Sequence, residues 1–243
     1  MRRYEWFGDW FASPYYFILY KNRDNREAQF FIDNLLELLS PITSATFMDL
    51  ACGKGRHSIY LNSKGFDVTG LDLQQGNVAH ANQFANEKLR FFEHDMRKVF
   101  KIAAFDYVFN LFTSFGYFDT KAEHLQTIEA VSKSLKPGGK FVLDFLNPYT
   151  VVNNLAPEET KTLEGIHFHI RKYFDGEFIL KDISFEDEGK SFQFQEKVKA
   201  IRRVEFLEYF EKAGLKLLEV FGSYQLNKYD PDLSDRLIFV VQK

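Results

Sequence analysis

The chain has 243 residues, 45% of them apolar, and a net charge of −3 from 34 acidic and 31 basic side chains. That balance excludes a global basic field of the kind that holds proteins on DNA or large structured RNA. No run approaches the roughly 18 uncharged apolar residues a membrane span needs. Glu5, Gly8 and Asp9 interrupt the N-terminal aromatics, against a signal peptide. The single cysteine, Cys52, cannot form an intrachain disulfide, so a soluble cytoplasmic protein with no membrane partner is expected.

Aromatic residues crowd the first twenty positions, among them Tyr4, Trp6, Phe7, Trp10, Phe11, Tyr15, Tyr16, Phe17 and Tyr20. This arm is expected to fold over the rest of the molecule, because it lacks the Lys/Arg-rich face of a membrane-surface helix. Ala28, Phe31, Ile32, Leu35, Leu36 and Leu39 recur at helical spacing and predict a helix over 25–39, ended by Ser40-Pro41. From there strand and helix alternate. Thr46–Leu50 reads as a strand, Gly55–Ser63 as a helix closed by Gly65, Asp67–Asp72 as a strand and Gln74–Lys88 as a polar helix. Leu89–Glu93 and Phe105–Asn110 follow as strands. Thr120–Leu135 is a helix with Ala122, Leu125, Ile128, Val131 and Leu135 inward, and Lys136-Pro137-Gly138-Gly139 is a turn into strand Lys140–Leu146.

Repeated β-α units imply a parallel, doubly wound α/β sheet, whose ligands sit at the carboxyl ends of the strands. After Asn147-Pro148 the rhythm changes. Asp175-Gly176 and Glu188-Gly189 mark antiparallel hairpins within 165–200, then come a helix over 204–213 and strands over 215–220 and 236–241. The expected organisation is an aromatic and helical arm (1–40), a ligand-binding core (41–150), an antiparallel insertion (151–201) and a C-terminal part completing the core sheet (202–243).

Four loops fall at successive strand ends. Ala51-Cys52-Gly53-Lys54-Gly55 lets backbone approach a ligand closely, and Asp72, about 20 residues on, can accept ribose hydroxyls. Asp95-Met96 offers a carboxylate to an exocyclic amine, and Asn110 to Gly116 forms the mouth. Each has a plain structural reading: a tight turn for the glycines, caps for Asp49 and Asp72, a local turn for Asp95. Their joint placement favours a nucleoside. A dinucleotide site wants Gly-x-Gly-x-x-Gly/Ala, whereas the third position here is Ser58, and Asp49 would repel a pyrophosphate. A ligand bearing an ammonium or sulfonium group would instead be attracted.

Together, Asp49-Leu50-Ala51-Cys52-Gly53-Lys54-Gly55, Asp72, Asp95-Met96 and Lys136-Pro137-Gly138-Gly139-Lys140-Phe141 resemble the class I S-adenosylmethionine-dependent methyltransferases. Phe105–Val108 with Asn110, Ser114 and Gly116 resembles the small-molecule branch. The match runs from about Thr46 to Leu146. The resemblance implies a mostly parallel seven-stranded Rossmann-like sheet and S-adenosyl-L-methionine as cofactor. It implies backbone at Ala51, Cys52, Gly53 and Gly55 on the methionine portion, with Asp49 shaping the loop or reaching the amine through water. Asp72 would take the ribose, Leu73 the adenine face, Asp95 the adenine amine and Met96 the ring nitrogen. Asn110 would line the methyl path, and Tyr20 and Arg23 belong to the closing arm. Ala51 stands where many relatives have glycine.

Asn147-Pro148-Tyr149 resembles the Asn-Pro-Pro-Tyr signature of amine methyltransferases, but it follows the fifth strand, not the fourth, and lacks the second proline. It is rejected as that motif, though it is placed to line an acceptor pocket. The expected reaction is in-line methyl transfer to an N or O atom of a small molecule, with Asn110 and Tyr117 as the catalytic candidates. His57 reads as structural, His94 as too distant, and the His167/His169 face as solvated surface. A nicotinamide oxidoreductase, an RNA methyltransferase and a non-catalytic adenosylmethionine-binding module are the competing readings. No DNA partner is expected.

Overall fold

The computed structural model of the chain describes residues 9–11, 13–21, 25–111 and 114–243. Its elements in chain order are α1 (Pro14–Leu19), α2 (Asn25–Leu39), β1 (Thr46–Leu50), α3 (Arg56–Ser63), β2 (Asp67–Asp72), α4 (Gln75–Ala81), β3 (Leu89–Glu93) and β4 (Phe105–Asn110). Then come α5 (Lys121–Ser134), β5 (Leu135–Leu146), α6 (Pro148–Asn153), β6 (Glu158–Leu163), β7 (Ile166–Phe174), β8 (Phe178–Asp187) and β9 (Lys190–Lys199). The chain closes with α7 (Arg203–Lys212), β10 (Lys216–Phe221) and β11 (Arg236–Gln242). Among the described residues no helix is long and apolar enough to cross a membrane.

Seven strands form one sheet in the order β10-β11-β5-β4-β1-β2-β3, with β11 antiparallel to both neighbours. The chain leaves β1 towards β2 and β3 and later returns on the other side of β1 through β4 and β5. The strand order therefore reverses between β1 and β4, where such sheets open a crevice at their carboxyl ends.

The strands read as nearly continuous apolar runs because both faces are covered. Side chains alternate across the sheet, so Phe141 and Leu143 join one core while Val142 joins the other. Ile128 and Val131 of α5 and Phe206 and Phe210 of α7 fill the first core. The second takes Phe31, Ile32 and Leu35 of α2, Leu61 of α3 and Val78 of α4. The arm is divided: α2 packs on the second core, but its aromatic start does not. Trp10 and Leu19 pack instead on Phe168, Ile170, Ile183 and Phe185, one face of a separate antiparallel sheet ordered β6-β7-β8-β9.

Four expectations need correction. The polar helix predicted over 74–88 ends at Ala81, followed by a 3-10 turn over 82–84. Asn86 diverts the backbone beyond it, its side-chain oxygen accepting from Lys88 N–H at 2.9 Å. In α5, Ala122 is exposed while His124 and Thr127 are buried. Thr127 Oγ1 donates to Glu123 O and His124 Nδ1 lies 2.9 Å from Thr120 O, while His124 Nε2 has no hydrogen-bond partner among the described residues. The Pro-Gly-Gly segment is no separate turn but lies within β5, with a register shift opposite Phe105 and Tyr107. Finally, α6 and β6 were not foreseen, although Asn147-Pro148 is a helix start with an Asn cap and Pro at the first turn.

Gly70 in β2 sits opposite Asp49 of β1, and its missing side chain lets Phe91 and Cys52 close over the strand. A Cβ there would lie 2.7 Å from Phe91 Cε1 and 2.9 Å from Cys52 Sγ. Overpacking of this kind costs about 1–3 kcal/mol. Gly70→Ala is therefore expected to lower the urea midpoint by an amount corresponding to that cost, with the denaturant slope unchanged.

Candidate active site

The glycine loop turns by alternating left-handed residues, with φ of 60° at Ala51, 57° at Gly53 and 85° at Gly55. Ala51 adopts this region without glycine's freedom, a strain of about 1–2 kcal/mol. Gly55 has no such choice, because a Cβ there would stand 2.8 Å from the Phe91 ring. Cys52 N–H donates to Leu71 O and Gly55 N–H to Cys52 O, so the loop is tied to β2 and to itself.

Two carboxylates flank this loop in opposite ways. Asp72, at the tip of β2, accepts from Gly53 N–H at 2.9 Å through one oxygen. Its other oxygen accepts from Gln74 N–H at 2.8 Å and Asn77 Nδ2 at 3.3 Å. Burial raises its pKa against the opposing pull of these bonds. A carboxylate has about four acceptor positions, so roughly one remains for a ligand hydroxyl. Asp49 lies underneath. It is 1% exposed and accepts from Ser58 Oγ at 2.6 Å and from the Ser58 backbone N–H. Gly55, the N-cap of α3, has no side chain to cap with, and Asp49 satisfies the first turn from below. Burial pushes its carboxyl up to about 6.

A cleft of about 420 Å³ opens over the strand ends. Ala51, Cys52 and Gly53 form one wall, Asp72, Leu73 and Asn77 the next, and Asp95 and Met96 a third. Burial works against ionisation of Asp95, but Arg97 outweighs it and holds the carboxyl below its usual range. The Arg97 guanidinium grips Asp95 at 2.9 Å and Glu123 at 3.0 Å.

The arm closes the fourth side. Phe11, Tyr16, Phe17 and Tyr20 line the cleft, and Lys54 Nζ sits 3.2 Å from the centre of the Phe17 ring. Glu196 of β9 holds the arm down. It accepts from Trp10 Nε1 at 2.7 Å and from Tyr20 OH at 2.6 Å, and Lys181 contacts both Tyr20 OH and Glu196. Phe11 packs in turn against Tyr117, which also lines the cleft, with ring centres 5.3 Å apart.

Residues 47–139 match the model of a family described as a methyltransferase domain. Over those residues the chain is similar to methyltransferase domains. Solved structures that share the fold include an amino pentose methyltransferase of Micromonospora echinaspora with S-adenosylmethionine bound, at a TM-score of 0.71 and 23% identity over 95% of this chain and 97% of that one. A Bacillus subtilis (strain 168) protein named putative methyltransferase YqeM is 34% identical over 116 residues, 46% of this chain and 47% of its own. The chain thus spans about half the length of the first curated relatives it matches. Glycine/sarcosine N-methyltransferase of Aphanothece halophytica is 25% identical over 235 residues, 91% of this chain and 83% of that enzyme. A solved S-adenosylmethionine-dependent methyltransferase of Clostridium acetobutylicum shares the fold, with a TM-score of 0.80 at 22% identity over 96% of this chain and 98% of that one.

Of the residues expected at the methyltransferase domain's ligand site, Tyr20, Ala51, Cys52, Gly53, Asp72, Leu73, Asp95 and Met96 line the cleft, as does Tyr117. Arg23 lies outside the described residues. Two expectations are corrected, and one is narrowed: Asp49 faces α3, which leaves it the loop-shaping one of its two expected roles, and Gly55 is buried against Phe91. Asn110 is fully buried and donates to Leu50 O at 2.7 Å, bridging β4 to β1 in place of lining a methyl path. Its Oδ1 has no donor among the described residues.

His57 reaches the cleft wall, but burial drives its pKa down to about 3, so it stands there neutral. His167 and His169 are exposed on the outer face of β7. Asn147 caps α6 and donates to Pro231 O and Ser234 O, a structural role. Sequence reading missed Asn77, Arg97, Phe17 and Glu196. Asn77 and Arg97 carried a usable signal, each lying a few residues beyond a strand-end aspartate.

Asp49 titrates near 3.8 in an unfolded chain and near 6 in the fold. The folded state keeps a proton that the unfolded state releases in that window. Asp49's contribution to stability therefore falls as pH rises from about 4 to 6, by about 3 kcal/mol in total. Asn mimics the protonated acid, so Asp49→Asn should gain on the parent across that range in urea melts taken from pH 4 to 7. A constant difference between the two proteins would contradict the assignment.

Glu196→Ala removes the acceptor of two arm donors and should free the arm. Trp10 fluorescence is expected to shift red and trypsin to cut after Lys21 faster, with Glu196→Gln restoring most of the protection.

Proposed function

We propose that the protein transfers a methyl group from S-adenosylmethionine to a nitrogen of a small-molecule amine. The observation that carries this reading is the cleft at the β1/β4 reversal, where Asp72 reaches from β2 to pin the glycine loop. The near full-length likeness to an enzyme named for N-methylation supports nitrogen over oxygen.

The donor supplies an activated methyl on a sulfonium sulfur, so alignment does most of the work. In this reading Ala51, Cys52 and Gly53 hold the methionine portion with backbone groups, and Asp72 takes a ribose hydroxyl, aided by Asn77. Leu73 packs on the adenine, with Asp95 and the Met96 backbone on its polar edge. Tyr20 closes the cleft from the arm, and Tyr117 with Phe11 orients the acceptor. The arm (1–40) and the inserted sheet (151–201) together form the lid on the acceptor side, over a core of 41–150 and 202–243.

Calorimetry with S-adenosylhomocysteine tests the site. Losing a charged hydrogen-bond acceptor costs about 1.5–3 kcal/mol, so Asp72→Ala should weaken binding at least roughly tenfold and up to about a hundredfold. Undiminished binding in that variant would sink the assignment.

A further inference from the structure

A second chamber, of about 200 Å³, lies behind the cleft, between the arm and the inserted sheet. It shares Phe11, Tyr16 and Tyr117 with the cleft, so the two spaces meet at these three aromatic side chains. Leu146, Leu180 and Val198 make up much of the remaining wall. Drug-sized ligands occupy about 300–1,000 Å³, so this space fits something smaller.

The chamber's charged side chains are Lys172, Lys181 and Glu196. They stand in one row across β7, β8 and β9, where Lys172 is the register partner of Lys181, and Lys181 of Glu196. All three are engaged. Lys172 Nζ lies 2.8 Å from Glu159, Lys181 pairs with Glu196 and Tyr20, and Glu196 takes the arm's donors. The described walls thus present each lysine already paired with a carboxylate, and a single carboxylate, Glu196, already shared among three donors.

We propose that this chamber is the acceptor subsite and takes a compact, largely apolar primary or secondary amine, free of any nucleotide or phosphate group. The inference rests on the methyl-transfer reading above. Its chemistry suits the walls. Burial in this largely apolar space disfavours the ammonium form of the amine, so the nitrogen enters with its lone pair available. That lone pair forms the new N–C bond while the C–S bonding pair returns to sulfur. Positive charge passes from sulfur to nitrogen, which then releases a proton to water. The charge moves beside the faces of Phe11, Tyr16 and Tyr117, where aromatic rings favour cations.

The test uses the full-length protein saturated with S-adenosylhomocysteine and calorimetric titration with 2-phenylethylamine, a small apolar amine. The amine should bind, and Leu180→Trp should weaken it at least tenfold with S-adenosylhomocysteine affinity held within twofold. Leu180→Ala, a milder change, should instead admit the longer 4-phenylbutylamine with a several-fold gain. The proposal is overturned if both variants leave amine binding unchanged. It is equally overturned if glycine or a dTDP-linked amino sugar binds tighter than the apolar amine, or if the amine does not bind at all. Failure of S-adenosylhomocysteine to bind the parent protein would overturn the methyl-transfer reading itself.

Discussion

The bond from Gly53 N–H to the Asp72 carboxylate joins the tip of β2 to the turn that follows β1, and the cleft takes its shape from it. A glycine turn in water samples many conformations, and only a fixed one can present backbone groups to a ligand at no further entropic cost. Asp72 supplies that fixity from one side by also accepting from Gln74 and Asn77. Asp49 supplies it from beneath by holding the first turn of α3 through Ser58. One acid is spent on structure and the other is shared between structure and the cleft. Their burial differs little, so direction and partners, not depth, separate their roles.

The same logic extends to the lid. Arg97 fixes Asp95 by a two-pronged contact and reaches on to Glu123 at the start of α5. Tyr117 is fixed by Phe11 of the arm, and the arm by Glu196 of the inserted sheet. The cleft is thereby bordered by segments that are distant in sequence but each held by a charged or aromatic anchor.

Much of the fold was legible because its signals are local. Alternating β-α units, the Asp175-Gly176 and Glu188-Gly189 turns and the spacing of α2 all act within a few residues. The glycine loop and the strand-end acids were legible for the same reason. Side-chain direction was not. Asn110 ends β4 as expected, but whether it meets the cleft or the neighbouring strand depends on strand parity and on Leu50 O, 60 positions away. Ala122 looked apolar and inward, yet helix phase gave its place to His124 and Thr127, whose Nδ1 and Oγ1 meet backbone carbonyls one turn back. Glu196 could not be singled out at all, since its meaning comes from donors 176 and 186 positions earlier.

That long separation bears on how the molecule comes together. During synthesis Trp10 and Tyr20 leave the ribosome well before the strand carrying Glu196 exists. The arm's aromatic side chains must wait, exposed, while the glycine loop and the parallel strands behind it already have their neighbours. Closing so large a loop is slow but adds little to the equilibrium cost, because closure entropy grows only logarithmically with length. The contacts that hold the arm over the cleft thus wait for β9, long after the glycine turn has been made.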